Sequence, residues 1–166
     1  LVDSQGALHG GRQDLNADKQ ELARMTNPTA MTGSLAEVIR GADIFVGLSK
    51  GGLLTEEMVG SMAPKAIVFA LANPTPEIMP DLAKKAGALI VATGRSDFPN
   101  QVNNVLGFPG IFKGALIARK QFTDEMFLAA AEALAKVVAS PTADHILPDP
   151  FDTTVVEAVS TAIAKS

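Results

Sequence analysis

The chain predicts an α/β fold: a doubly wound parallel sheet, closed by C-terminal helices and incomplete at its N-terminus. Short apolar runs alternate with stretches of helical spacing, the pattern of βαβ units on a parallel sheet. Most helical stretches open on a side chain suited to cap a helix, namely Asn16, Ser34, Thr55, Thr123 and Asp152. A length of 166 residues fits one domain able to bury a core, and 47% hydrophobic against 19% charged residues excludes a disordered chain.

Val2-Asp3 ends a first strand, and Gly6–Gly11 reads as loop. Asn16–Met25 has helical spacing. Ser34–Ile39 is a short helix, with Glu37 placed to complete a capping box. Asp43–Leu48 forms the next strand, and Ser49-Lys50-Gly51-Gly52 the turn after it. Thr55–Met62 is helical, with Glu56 and Glu57 suited to the positive end of its dipole. Ala66–Ala72 is apolar throughout, as a strand buried on both faces should be, and Asn73-Pro74 ends it. Pro76 opens a helix through Ala86, with Glu77 in its first turn. Pro80 fits that helix if its regular part starts near Met79. Ala88–Ala92 is the fourth strand. Val102–Gly107 and Gly110–Lys120 read as helices broken at Phe108-Pro109. Thr123–Ala139 is a long Ala-rich helix, and the Met and Phe residues of Gln121–Leu128 fall at core spacing. Ser140–Pro150 is loop, and a last helix runs from Asp152 to Ala164.

Composition removes several classes of function. A net charge of −4, with no basic run longer than Lys84-Lys85, argues against a nucleic-acid surface. No apolar run is long enough to span a bilayer, and no signal peptide opens the chain. Zero cysteines exclude disulfides, a thiol nucleophile and thiolate metal ligands, and fit a reducing, cytoplasmic compartment. The chain starts at Leu1 without an initiator Met, so it reads as a segment whose earlier part is missing.

The polar stretch after Ala88–Ala92 is the least explained by fold-building. Arg95, Asp97, Asn100, Gln101, Asn103 and Asn104 follow a buried strand directly. Ligands of open α/β sheets sit beyond the carboxyl ends of the strands, and a polar ligand would satisfy such a cluster. Asn103 and Asn104 are poor helix formers, which leaves helix-start caps or ligand contacts. Asn73, between a buried strand and a proline-locked turn, either makes an Asx turn or offers its amide to a carboxylate or carboxamide. The loop Gly47–Gly52 is a plain strand-to-helix turn or, through Gly47 and Ser49, part of a cofactor-lining edge. Asp3 either turns the chain or accepts hydrogen bonds from adenosine-ribose hydroxyls at the end of a Rossmann strand. Ser4, Gln5 and Arg12 leave room for a 2′-phosphate. His9 and His145 read as loop residues. Glu56, Glu57, Glu77, Asp124 and Glu125 are explained as helix-start acids, and no metal cluster is evident.

LVDSQGALHGGR, GADIFVGLSKGGLLTEEMV, FALANPTPEIMPD and ATGRSDFPNQVNNVLGFPGIFKGAL together resemble the malic enzymes, particularly the compact bacterial and archaeal type. The resemblance covers nearly the whole chain. It implies a Rossmann-like NAD(P)-binding domain over 1–166, lacking its first strand and GxGxxG turn. It also implies oxidative decarboxylation of L-malate to pyruvate and CO2, with reduction of NAD or NADP and help from Mg or Mn. Asn73 and Asn103 would meet malate, Asn73 also beside the nicotinamide. Asn104 would share that pocket, and Asp3 would lie at the adenosine ribose. A homodimer is implied as well. The family's tyrosine acid, lysine base and three acidic metal ligands belong to segments before Leu1, and the chain contains no tyrosine. No catalytic residue or metal ligand is therefore expected here, and the chain alone is expected not to turn over malate. Ile117 stands where bacterial relatives often carry Asp, with a packing or surface consequence. The rival readings are another hydroxy-acid or amino-acid dehydrogenase domain, and a non-catalytic nucleotide-binding or interaction module.

Overall fold

A computed structural model describes all residues, 1–166. Its centre is an open sheet of three parallel strands in the order β3 (Ile44–Gly47), β4 (Ile67–Ala70) and β5 (Ile90–Thr93). The register sets Phe45, Val68 and Val91 in one row, and Gly47, Ala70 and Thr93 in another at the carboxyl edge. Phe45, Val68, Ala70 and Val91 are buried in a twelve-residue core that includes Val59, Ile78 and Ala83. Val59 belongs to α3 (Glu56–Gly60) and Ala83 to α4 (Pro80–Lys85). The α/β class, the open parallel sheet and the C-terminal helices are those expected from the sequence.

The caps explain where the helices begin. Asn16 accepts from the Lys19 amide at the start of α1 (Ala17–Thr26). Glu37 reaches back to the Ser34 amide and hydroxyl at α2 (Leu35–Val38). Thr55 caps α3, Thr123 caps α6 (Asp124–Val137), and Asp152 caps α7 (Thr153–Lys165). Each bond satisfies an amide that the helix leaves without a partner.

Four local expectations are corrected. Val2–Asp3 is β1, but it pairs antiparallel with β2 (Gly6–Ala7) in a separate hairpin and does not join the parallel sheet. The two-residue turn Ser4-Gln5 brings that partner next to it, so its backbone groups are satisfied locally. The fourth helix begins at Pro80 with Met79 as cap, leaving Pro76 and Glu77 in the preceding loop. Phe108-Pro109 does not break a helix. It opens α5 (Phe108–Ala118), where proline's missing N–H costs nothing, after a 3₁₀ turn at Asn104–Leu106. Of the apolar residues in Gln121–Leu128, Met126 is buried, whereas Phe122, Phe127 and Leu128 are exposed. Phe122 instead meets Phe112 edge-to-face and stacks with Phe127 on the surface.

The C-terminal helices build a second core from Leu106, Ala115, Met126, Ala130, Val155, Val159 and Ile163. α5 and α7 approach closely because Gly110 and Gly114, one turn apart, face Val159 and Ile163. Ile117 is exposed, so its consequence is one of surface. No helix is long and apolar enough to cross a membrane.

Candidate functional site

Three loops leave the carboxyl edge of the sheet side by side, and each carries residues singled out in the sequence. After β3 come Ser49 and the glycines. After β4 comes Asn73, and after β5 come Asn100 to Asn104. Ser49, Asn73, Asn103 and Asn104 are all exposed, while Gly47 and Asn100 are buried. In open α/β sheets this is the edge beyond which ligands sit.

Backbone bonds join the first two loops. Leu71 N–H donates to Gly47 O (3.0 Å), Gly52 N–H to Pro76 O (3.0 Å) and Leu54 N–H to Glu77 O (3.0 Å). The Glu77 side chain adds two more: Oε1 accepts from Ser49 N–H (3.1 Å) and Oε2 from Ala72 N–H (3.0 Å). Glu77 is wholly buried. The expectation that it serves as a helix-start acid is therefore wrong: it lies outside α4 and stitches two loops together. Gly47 is packed against that carboxylate, and a Cβ there would lie 2.5 Å from Oε1. Absence of a side chain at Gly47 thus makes room for Glu77.

The Asn73 amide takes no part in the chain's hydrogen bonds, so no Asx turn forms. The Asn73-Pro74 peptide is cis. Asn103 accepts from Val105 N–H through Oδ1 (3.0 Å) and so caps the 3₁₀ turn. That bond fixes the amide orientation and leaves its NH₂ donors facing solvent.

The polar stretch as a whole is less orphaned than its sequence suggests. Arg95 pairs with Asp97 (2.6 Å), lies over the Phe98 ring, and reaches Pro74 O (3.5 Å). Gln101 bridges to Thr93. Asn100 is structural: its amide donates to Val91 O (3.1 Å) and Ala143 O (2.8 Å) and accepts from Ile146 N–H (2.9 Å). A hollow of about 340 Å³ lies between Ser96–Gln101 and Asp144–Phe151, and neither Asn73 nor Asn103 lines it.

Asp3 stands apart in its hairpin. Its carboxylate accepts from Gln5 N–H (2.9 Å), from both Arg12 NH groups (2.8 and 3.2 Å) and from Lys19 Nζ (2.6 Å). These four bonds use the lone-pair sites of a carboxylate, so ribose hydroxyls would have to displace one of them. Arg12 first, then Lys19, hold the Asp3 carboxyl well below the usual carboxylate range. The unfolded chain thus binds that proton at a higher pH than the folded one. The network stabilises the fold above about pH 4, and its contribution disappears as pH falls through the lower folded-state value. In denaturant melts from about pH 5 to 2.5, Asp3→Asn is expected to lose stability less steeply than the parent. Equal slopes would show that the network adds nothing.

His9 and His145 lie in loops, where His9 Nδ1 accepts from Gly11 N–H. No group of three or more His, Cys, Asp or Glu side chains is arranged to hold a metal ion.

An open parallel sheet flanked by helices, with exposed amides at its carboxyl edge, defines a Rossmann-like α/β domain. A sequence model of the family described as malic enzyme, NAD binding domain, matches residues 1–166, and the chain belongs to that family. It is 53% identical to the bifunctional malic/malolactic enzyme of Bacillus subtilis, covering 100% of this chain and 42% of that protein. It is 49% identical to the NAD-dependent malic enzyme of Geobacillus stearothermophilus, covering 99% of this chain and 35% of that protein. The crystal structure of NAD-dependent malic enzyme from Thermotoga maritima superposes with a TM-score of 0.94 at 48% identity, over 98% of this chain and 44% of that one. The chain spans less than half the length of these relatives.

Proposed function

We propose that residues 1–166 form one domain, and that it is the nucleotide-binding and malate-orienting part of a cytoplasmic, homodimeric malic enzyme. The reaction is oxidative decarboxylation of L-malate to pyruvate and CO2, with NAD or NADP as electron acceptor. The observation that carries this reading is the exposure of the Asn73 and Asn103 amides at one sheet edge, in a chain of the malic enzyme family.

The residues of this chain fit the nucleotide and malate but not a metal. Ser49 and Gly47 shape the edge of the nucleotide crevice, and Asn73 stands where that crevice meets the substrate. With Oδ1 tied to Val105, Asn103 presents N–H donors to a malate carboxylate, the match a dicarboxylate needs. Asn104 lies beside it. Asp3, neutralised by Arg12 and Lys19, marks the adenosine end and does not by itself bar a 2′-phosphate. No group of three or more His, Cys, Asp or Glu side chains is arranged here to hold Mg or Mn, and in this reading another part of the enzyme supplies the metal and the proton-transfer groups.

Asn103→Ala in that enzyme is expected to raise the malate KM and lower kcat, together costing about 10- to 100-fold in kcat/KM, with nucleotide affinity little changed. Steady-state kinetics with malate varied would test this, and unchanged malate kinetics would remove Asn103 from the site.

A further inference from the structure

Glu77 is a buried acid with no cationic side chain bonded to it. Its two carboxylate oxygens take backbone amides from two different loops, Ser49 after β3 and Ala72 after β4, 28 and 5 residues away in the chain. Its own carbonyl accepts from Leu54 N–H. Burying such a group is costly, and a well-packed apolar residue would fill similar space more cheaply. What an apolar residue cannot do is hold two amides at a fixed separation. Ser49 is one of those anchor points, and Asn73 directly follows the other.

We propose that Glu77 is a positioning residue that sets Ser49 and Asn73 relative to one another, and through them the nucleotide relative to malate. This rests on the reading of the crevice given above. The side chain is too buried to meet either ligand, so it acts only through the two backbone amides. Gly47 belongs to the same device, because any side chain there would push the carboxylate out of its place. Reacting atoms misplaced by about 1 Å lose on the order of 100-fold in rate, so small errors at this stitch are felt in turnover.

The test is made in the whole malic enzyme that carries the domain. Glu77→Gln keeps the shape but puts an NH₂ against one of the two amide donors. It is expected to lower kcat by about 10- to 100-fold and to raise the malate KM, in protein that is still folded at the assay temperature. A purely structural role would not move a second readout. Asn73→Ala should cost much less in the Glu77→Gln background than in the parent, because Asn73 has already lost its place. If Glu77→Gln does not fold, Glu77→Asp, which keeps the charge with a shorter reach, is expected to show the same kinetic loss in milder form.

Glu77→Gln or Glu77→Asp that lowers the melting temperature while leaving kcat and malate KM unchanged overturns the proposal. Failure of the crevice reading is distinguishable. A silent Asn73→Ala removes that reading and this proposal with it, whereas a damaging Asn73→Ala beside a silent Glu77→Gln removes only the positioning role.

Discussion

Asn100→Ala is expected to destabilise the domain by about 3 kcal/mol or more, a fall of roughly 6–12 °C in melting temperature for a domain of this size. The side chain makes three hydrogen bonds, to Val91 O in β5, to Ala143 O and from Ile146 N–H. Removing it leaves two acceptors and a donor without their partner, the Val91 carbonyl in a buried place and the Ala143 and Ile146 groups in a partly buried one. Each buried group left unpaired costs about 1–3 kcal/mol. The backbone adds to the loss. Asn100 has φ of 57°, a left-handed conformation that asparagine adopts more readily than alanine. Asn100→Gly relieves the backbone but not the lost bonds, so it should fall between parent and alanine. Asn100→Asp should be the worst of the three, since it turns a carboxylate oxygen toward two carbonyls in place of the amide NH₂. Thermal melts of the three variants test the order. An alanine variant within about 1 kcal/mol of the parent would show that the 143–146 loop is held by something else.

The second large effect reverses a familiar sign. Glycine to alanine in a helix interior normally stabilises by about 0.5–1 kcal/mol. Gly114→Ala should instead destabilise by about 1–3 kcal/mol, because α5 and α7 leave no room for the methyl. A Cβ there would lie 2.5 Å from Ile163 Cβ and 2.7 Å from Ser160 O. The second of these is backbone, which cannot turn aside as a flexible side-chain tip can. Gly60, at the end of α3, supplies the control. Its nearest neighbour to an added Cβ is Ala86 O at 3.7 Å, so Gly60→Ala should be neutral or mildly stabilising. Denaturant unfolding of both variants decides the matter. Stabilisation of both would mean that the two helices can separate at little cost.

Much of this architecture could be read from the sequence because it is local. The strands announce themselves as apolar runs, and the N-caps at Asn16, Ser34, Thr55, Thr123 and Asp152 were legible from residue type and position. Asn73 and Asn103 stood out because they directly follow strands or open a turn. What escaped was decided over distance. Glu77 beside Pro76 reads as a helix start, yet its amide partner Ser49 is brought to it only by the pairing of β3 with β4. The one clue was Pro80, whose place in a first turn leaves Glu77 outside the helix. Asn100 was hidden by company: in a run of exposed polar residues nothing marks the one that turns inward toward Val91 and Ala143. Asp3 was expected in the parallel sheet because strand propensity says nothing about which partner is at hand. Phe122 and Phe127 kept helical core spacing but found one another on the surface.

The contact between Gly47 and Glu77 has a consequence for how this domain can change over evolutionary time. Neither position is free to drift alone. A methyl acquired at 47 meets a carboxylate that has nowhere to go, while a smaller residue at 77 opens a void beside 47 and frees the two amides. Related sequences should therefore exchange the two residues jointly or keep both, although 30 positions separate them. A pair that varies in step would be the historical trace of a single packing event at the edge of the sheet.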